Sequence, residues 1–125
     1  MKRPKRTVLV VDDYPNAAEL ICDMAREAGF ACEAAASDRA AYAALRKSAL
    51  YSALVVDVNL GPGTTGYDVA RFARQIDPGL PVIFVSGEVG SDSLRAFGVP
   101  GSTFLEKPLT EPQLAVALRR ATGET

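Results

Sequence analysis

Three carboxylates, a hydroxyl and an ammonium follow four short strand-like segments of this chain. Val8-Leu9-Val10-Val11 runs into Asp12-Asp13, and Ala53-Leu54-Val55-Val56 runs into Asp57. Leu80-Pro81-Val82-Ile83-Phe84-Val85 ends at Ser86, and Ser102-Thr103-Phe104-Leu105-Glu106 ends at Lys107-Pro108. If each segment is a strand of an open parallel sheet, these residues share one site, because functional groups gather beyond the carboxyl ends of such strands. Asp12, Asp13 and Asp57 would then repel, at roughly 4 kcal/mol for two charges about 4 Å apart in an effective dielectric near 20. A bound cation relieves that repulsion. Oxygen ligands without imidazole or thiolate favour Mg²⁺ or Mn²⁺, which commonly keep waters and accept a phosphate oxygen. A carboxylate can attack phosphorus held in line once the phosphoryl charge is neutralised. Asp57 stands alone at its strand end and is the candidate nucleophile, while the adjacent pair Asp12-Asp13 suits the metal. Lys107 would pair with one phosphoryl oxygen, and the Ser86 hydroxyl could donate to another.

The composition narrows the classes further. The chain has no histidine, which removes the usual general base, the usual transition-metal ligand and any phosphohistidine of its own; if phosphoryl chemistry occurs here, a donor histidine belongs to a partner. Cys22 and Cys32 fall on a helix and the following strand, at a spacing that fits neither a CxxC pair nor a zinc site, and are expected to be buried free thiols. At 125 residues and 48% apolar content the chain is the size of one domain with one core. Its apolar runs stop well short of the ~20 residues that span a bilayer, and Met1-Lys2-Arg3-Pro4-Lys5-Arg6 does not read as a signal sequence. A cytoplasmic protein without membrane insertion is expected. Four of the 14 basic residues fall in the first six positions, so the remainder carries 10 against 15 acidic residues. An acidic body argues against nucleic-acid binding by this domain.

Apolar runs of four to six residues alternate with helix-like segments five times, the pattern of an α/β fold whose parallel sheet carries helices on both faces. Strands are expected at Thr7–Val11, Ala31–Ala35, Ala53–Val56, Pro81–Val85 and Ser102–Leu105. Pro15 opens a first helix that buries Ala17, Leu20, Ile21, Met24 and Ala28 and stops at Gly29. Ser37 or Asp38 caps a second, through Lys47, that buries Ala41, Ala44 and Leu45. A third turns Val69, Phe72, Ala73 and Ile76 inward and ends at Asp77-Pro78-Gly79. Glycines between 87 and 101 allow only a short helix, over Ser91–Phe97. Thr110-Glu111-Pro112-Gln113 is a capping-box signal for a last helix with Leu114, Ala117, Leu118 and Ala121 inside.

Taken together, Asp12-Asp13, Asp57, Ser86 and Lys107-Pro108 resemble, in order and spacing, the receiver domain of bacterial two-component response regulators. The resemblance runs from Thr7 to about Ala121, with a basic leader at 1–6 and a short tail at 122–125. It implies a five-stranded doubly wound, flavodoxin-like sheet of order 2-1-3-4-5. It also implies phosphorylation of Asp57 by a histidine kinase or histidine phosphotransfer protein. Magnesium would be held by Asp13, Asp57 and the Asn59 backbone carbonyl, with Asp12 acting largely through water. Ser86 and Phe104 occupy the positions that move when the family switches, and the Lys107-Pro108 peptide is implied to be cis. Asn59 and Glu88 occupy positions that influence dephosphorylation rate.

Some features depart from the commonest family pattern. The stretch from Asp57 to Gly66 is one residue longer, with Leu60-Gly61-Pro62 in it. Phe104 lacks a phenolic oxygen, so any movement of it must be driven by packing. The expected function is a phosphorylation-controlled signalling module that switches a protein-binding surface, or relays or drains phosphoryl groups. It takes part in its own Mg²⁺-dependent phosphorylation and dephosphorylation without being a classical enzyme. The alternatives are a phosphorylation-independent adaptor with the same fold and a Mg²⁺-dependent aspartyl-phosphate phosphohydrolase. The downstream target is not named by the sequence.

Overall fold

A computed structural model describes residues 6–47, 51–61, 65–87 and 98–123. The elements run β1 (Thr7–Val11), α1 (Pro15–Glu27), β2 (Ala31–Ala35), α2 (Asp38–Lys47), β3 (Tyr51–Asp57), α3 (Gly66–Ile76), β4 (Val82–Ser86), β5 (Thr103–Glu106) and α4 (Glu111–Ala121). All strand pairs are parallel, and the order is β2-β1-β3-β4-β5. The expected helix over Ser91–Phe97 lies outside the described residues. No described helix is long and apolar enough to cross a membrane.

Strand residues alternate between two apolar layers, as the two-residue side-chain period requires. Leu9, Val11, Leu54, Val56, Val82 and Phe84 pack on the face covered by α2 and α3. Val8, Val10, Ala53, Val55, Ile83 and Val85 pack on the face covered by α1 and α4. Covering both faces is what makes β1, β3 and β4 read as unbroken apolar runs. Full burial of side chains such as Phe84, Leu9 and Leu54 is worth about 1.5–3 kcal/mol each.

The helices begin where local chemistry starts them. Pro15 occupies the first turn of α1, where its missing N–H costs nothing. The Ser37 hydroxyl accepts from the Ala40 N–H at 3.0 Å to open α2. Thr65 with Asp68, and Thr110 with Gln113, close reciprocal capping boxes on α3 and α4. Gly29, at φ +97°, turns the chain from α1 into β2 in a backbone region that favours glycine.

Four expectations need correction. β3 is longer than expected, because Tyr51 already pairs with Thr7 at the start of β1. The fully buried stripe of α1 is Ala18, Ile21, Cys22 and Ala25; of the expected residues Ile21 is among them and Met24 and Ala28 pack half-buried against the same layer, but Ala17 and Leu20 give way to Ala18, Cys22 and Ala25. Small side chains let α1 sit close to the sheet, and Leu20 is left 58% exposed. Ile76 is likewise exposed at the end of α3, where Ala70 and Ala73 take the inner positions. The cysteines are not free thiols: Cys22 on α1 and Cys32 on β2 are joined as a disulfide, with Cα atoms 5.5 Å apart. The turn at Gly29 folds the helix back over the strand and brings together two positions whose spacing fits no short motif.

At the opposite end of the sheet from the acids, the buried Tyr51 hydroxyl donates to Glu33 Oε1 at 2.6 Å. Burial, followed by that hydrogen bond and the Glu33 charge, pushes the phenol above its usual range. A folded-state pKa raised above the unfolded value near 10 gives stability that is fully present below pH ~10 and lost as pH rises beyond it. Denaturant titrations should therefore show wild-type stability falling above pH ~10, with a shallower fall in Tyr51→Phe. A smaller slope should remain, because burial also raises Tyr67. At neutral pH the substitution should cost about 1 kcal/mol. Identical alkaline slopes would show that Tyr51 does not carry this linkage.

Candidate functional site

Register brings the acids together. Val11 pairs with Val56, so the residues that follow, Asp12 and Asp57, emerge side by side from adjacent strands. Asp57 pairs in turn with Val85, which sets Ser86 one position beyond it. Ser86 pairs with Glu106, and the next residue is Lys107, whose N–H donates to the Ser86 carbonyl at 2.8 Å. Five residues from four strand ends thus lie at one edge of the sheet.

The lysine organises the acids. Lys107 Nζ donates to Asp57 Oδ2 at 2.7 Å and to Asp12 Oδ2 at 3.1 Å. The remaining oxygens are held by backbone. Asp12 Oδ1 accepts from the Tyr14 N–H at 3.0 Å, and Asp57 Oδ1 accepts from the Asn59 N–H at 2.8 Å. Asp12 is fully buried and Asp57 is 7% exposed. Among the described residues Asp13 Oδ1 is buried with no hydrogen-bond partner, an arrangement that is costly unless something else occupies the position.

Electrostatics reflect this crowding. Burial pushes the Asp57 carboxyl up, against the lowering effects of Lys107 and the Asn59 N–H, and the Asp12 charge adds to the rise. For Lys107, desolvation works to lower the pKa, but its contacts with Asp57 and Asp12 outweigh it and the net direction is upward. The two directions favour opposite proton placements in the pair. The 2.7 Å contact has the length of a charge-assisted bond, so we assign an ionised carboxylate facing an ammonium. Among the described residues, three carboxylates against one ammonium leave excess negative charge.

That excess fits a hard cation. One oxygen from each of Asp12, Asp13 and Asp57 lies within 4.8 Å of the others. The donors are all oxygen, and one of them is an orphaned buried atom. This is the chemistry a small divalent ion selects.

The other expected residues divide. Ser86 is buried at the end of β4. Phe104 on β5 is half-buried, pairs with Phe84 and packs against the α2/α3 layer. The Lys107–Pro108 peptide bond is cis. Asn59 forms an isolated antiparallel bridge with Thr65, which ties the loop after Asp57 to the start of α3. Glu88 lies outside the described residues.

Sequence reasoning missed Gly66. Its N–H donates to the Val58 carbonyl at 2.8 Å, and a Cβ there would fall on the Asp57 carbonyl oxygen and stand 3.0 Å from Val58 Cα. Gly66 follows Thr65, and the Thr65-x-x-Asp68 capping box was the signal that could have placed a helix start against the acceptor loop.

The family model of the response regulator receiver domain matches residues 8–119. The chain is 33% identical over 123 residues to the probable transcriptional regulatory protein TcrX of Mycobacterium tuberculosis, covering 95% of this chain but only 52% of TcrX. It is 31% identical over 106 residues to the chemotaxis protein CheY of Pseudomonas aeruginosa, covering 82% of this chain and 85% of CheY. A response regulator receiver protein from Sinorhizobium medicae superposes with a TM-score of 0.88 at 32% identity, over 95% of each chain. The chain belongs to the response regulator receiver family of two-component signalling. Members of this family are signalling modules rather than classical enzymes, and they bind Mg²⁺ at an acidic pocket.

Asp13→Asn removes one charge from the crowded pocket. It should raise the stability of the metal-free protein by about 1 kcal/mol and abolish the rise in melting temperature that Mg²⁺ gives wild type. An equal Mg²⁺ shift in both proteins would exclude Asp13 from the cation site. Gly66→Ala should lower stability by more than about 2 kcal/mol, measured by urea unfolding, because backbone rather than a flexible side chain must yield. A loss within about 0.5 kcal/mol would mean that the Asp57 loop shifts freely.

Proposed function

We propose that this chain accepts a phosphoryl group on Asp57 from a phosphohistidine of a histidine kinase or phosphotransfer protein. The observation that carries the reading is the convergence of Asp12, Asp13 and Asp57 oxygens within 4.8 Å on an ammonium 2.7 Å from the acceptor carboxylate. In the proposed reaction an Asp57 carboxylate oxygen forms a bond to phosphorus as the phosphorus–nitrogen bond to the donor imidazole breaks. The bonding pair leaves with the imidazole nitrogen. The chain has no histidine, so the donor is another molecule.

Asp13, Asp57 and the Asn59 carbonyl would hold Mg²⁺, with Asp12 acting through water. When bound, the metal would neutralise charge on the phosphoryl oxygens. Lys107 would pair with a phosphoryl oxygen in place of its present carboxylate partners, and Ser86 would donate to another. Asn59 and Glu88 would tune the loss of the phosphoryl group. The added charge of about −1.5 to −2 would draw Ser86 toward Asp57 and change the packing of Phe104, altering a surface read by a partner or passing the group onward.

A groove of about 360 Å³ supports a protein donor. It is lined by Ala17, Leu20 and Met24 of α1 with Lys107, Pro108 and Leu109. Lys107 belongs to both groove and acid cluster, so a molecule presenting phosphorus in line with Asp57 covers the groove as well. We assign it to an apolar helix face of the phosphohistidine protein.

Incubation with acetyl phosphate and Mg²⁺ should give a single phosphoryl adduct by intact mass, absent with EDTA and absent in Asp57→Asn. An adduct of equal yield on Asp57→Asn, or on wild type without metal, would overturn the assignment. Folded wild type that gains no adduct from acetyl phosphate or from phosphorylated donor proteins would favour the adaptor.

A further inference from the structure

The disulfide lies away from the acid cluster and plays no part in the proposed phosphoryl reaction. Cys22 sits in the third turn of α1, fully buried. Cys32 is the second residue of β2 and half-buried. Among the described residues β2 is an edge strand that pairs with β1 alone, Cys32 opposite Val8. No described strand pairs with its other flank. The Cα separation of 5.5 Å matches the span of an ordinary disulfide, so the bond can open and close without moving the backbone.

Independent contacts hold the two sulfurs in register. The Gly29 N–H donates to the Arg26 carbonyl at 3.0 Å, and the Phe30 N–H donates to the Ala25 carbonyl at 3.1 Å. Arg26 Nη2 donates to the Cys32 carbonyl itself at 3.1 Å. The side chain of Phe30 is buried beside Cys22 in the α1/α4 layer. None of these contacts requires the covalent bond, so the reduced pair remains apposed and ready to reoxidise.

We propose that Cys22 and Cys32 form a thiol–disulfide exchange site whose co-reactant is a small disulfide of the glutathione class. The half-buried Cys32 thiolate attacks one sulfur of the small disulfide and releases one small thiolate. The Cys22 thiolate then attacks the Cys32 sulfur of the mixed disulfide, closing the internal bond and releasing the second small thiolate. The protein pair loses two electrons, the small disulfide gains them, and the two thiol protons end on the two released thiols. Burial fixes the order, since the small disulfide reaches Cys32 and not Cys22. Oxidation covalently joins β2 to α1, the helix that starts at the Asp12-Asp13 loop and lines the apolar groove.

The test equilibrates the whole chain in glutathione buffers of graded ratio, then traps it with N-ethylmaleimide in denaturant for intact mass. The expected result is an all-or-none exchange between a form with both cysteines alkylated and a form with neither, with little mixed disulfide. Cys22→Ala should accumulate a glutathione adduct on Cys32, while Cys32→Ala, shown to be folded by circular dichroism, should accumulate none. The oxidised wild type should melt about 5–10 °C above the reduced form. Three results would each overturn the proposal: thiols that stay reduced at every ratio, separate glutathione adducts on both cysteines, or an adduct on folded Cys32→Ala equal to that on Cys22→Ala.

Discussion

Lys107 is held by two carboxylates at once, and the carboxyl edge of the sheet is arranged around that contact. Asp12 and Asp57 are adjacent because β1 and β3 pair in parallel with Val11 opposite Val56, and they are buried because both strands are covered on both faces. Two buried anions in that position would be strongly unfavourable without a cation. The ammonium bridging them at 2.7 and 3.1 Å offsets part of the cost, and the Asn59 and Tyr14 N–H groups take the remaining oxygens of the same carboxylates. Asp13 is the acid with an orphaned oxygen. The described residues thus neutralise the pocket incompletely, which is the electrostatic condition for recruiting a divalent ion.

The stability that tolerates this strain sits elsewhere. Two apolar layers, each made of alternate residues from β1, β3 and β4, bind the sheet to α1 and α4 on one face and to α2 and α3 on the other. Aromatic pairs reinforce the α2/α3 side, with Tyr67 against Phe84 at 4.9 Å and Tyr42 against Phe72 at 4.7 Å between ring centroids. The α1 side is made of smaller residues, Ala18, Cys22 and Ala25. That economy of volume brings α1 close to the sheet and leaves Leu20 and Met24 to border the groove next to Lys107.

Much of this was legible in the sequence, for reasons that also mark its limits. Continuous apolar runs ending in Asp, Asp and Ser, with a shorter mixed segment ending at Lys107, expose both the strands and the site, because a parallel sheet covered on both faces leaves its functional groups at one edge. Capping chemistry at Thr110 was equally plain. The phase of α1 was not, because Leu20, Ile21 and Met24 form a broader apolar arc than the helix buries, and Ala and Cys give little hydropathic contrast with which to choose a stripe. The Cys22–Cys32 bond was hidden because proximity there depends on the turn at Gly29 and the register of β2, not on a spacing motif. Gly66 was hidden for a related reason. Its role is to leave space beside the Asp57 carbonyl, and a requirement for empty space leaves no periodic signal.

The route from Asp57 to the outer surface is short, and backbone pairing defines it. Ser86 lies one residue past Val85, the pairing partner of Asp57, and Phe104 pairs with Phe84 two residues before that serine. A force on the Ser86 hydroxyl acts on the same backbone that accepts the Lys107 N–H and supports β5. β5 is an edge strand, four residues long and half-exposed, so it has less packing to resist displacement than β1 or β3. Phe104 has no hydroxyl to fix it inward or outward, and its position depends on how well the ring fills the space beside Phe84. Under the proposed phosphorylation of Asp57, movement of Phe104 would rest on small packing differences, which a few kcal/mol of new phosphoryl contacts would suffice to invert. In that proposal the buried centre of the sheet and its half-exposed edge would have separate roles. The centre keeps the acids in place, and the edge would be where a change in their charge becomes a change in shape.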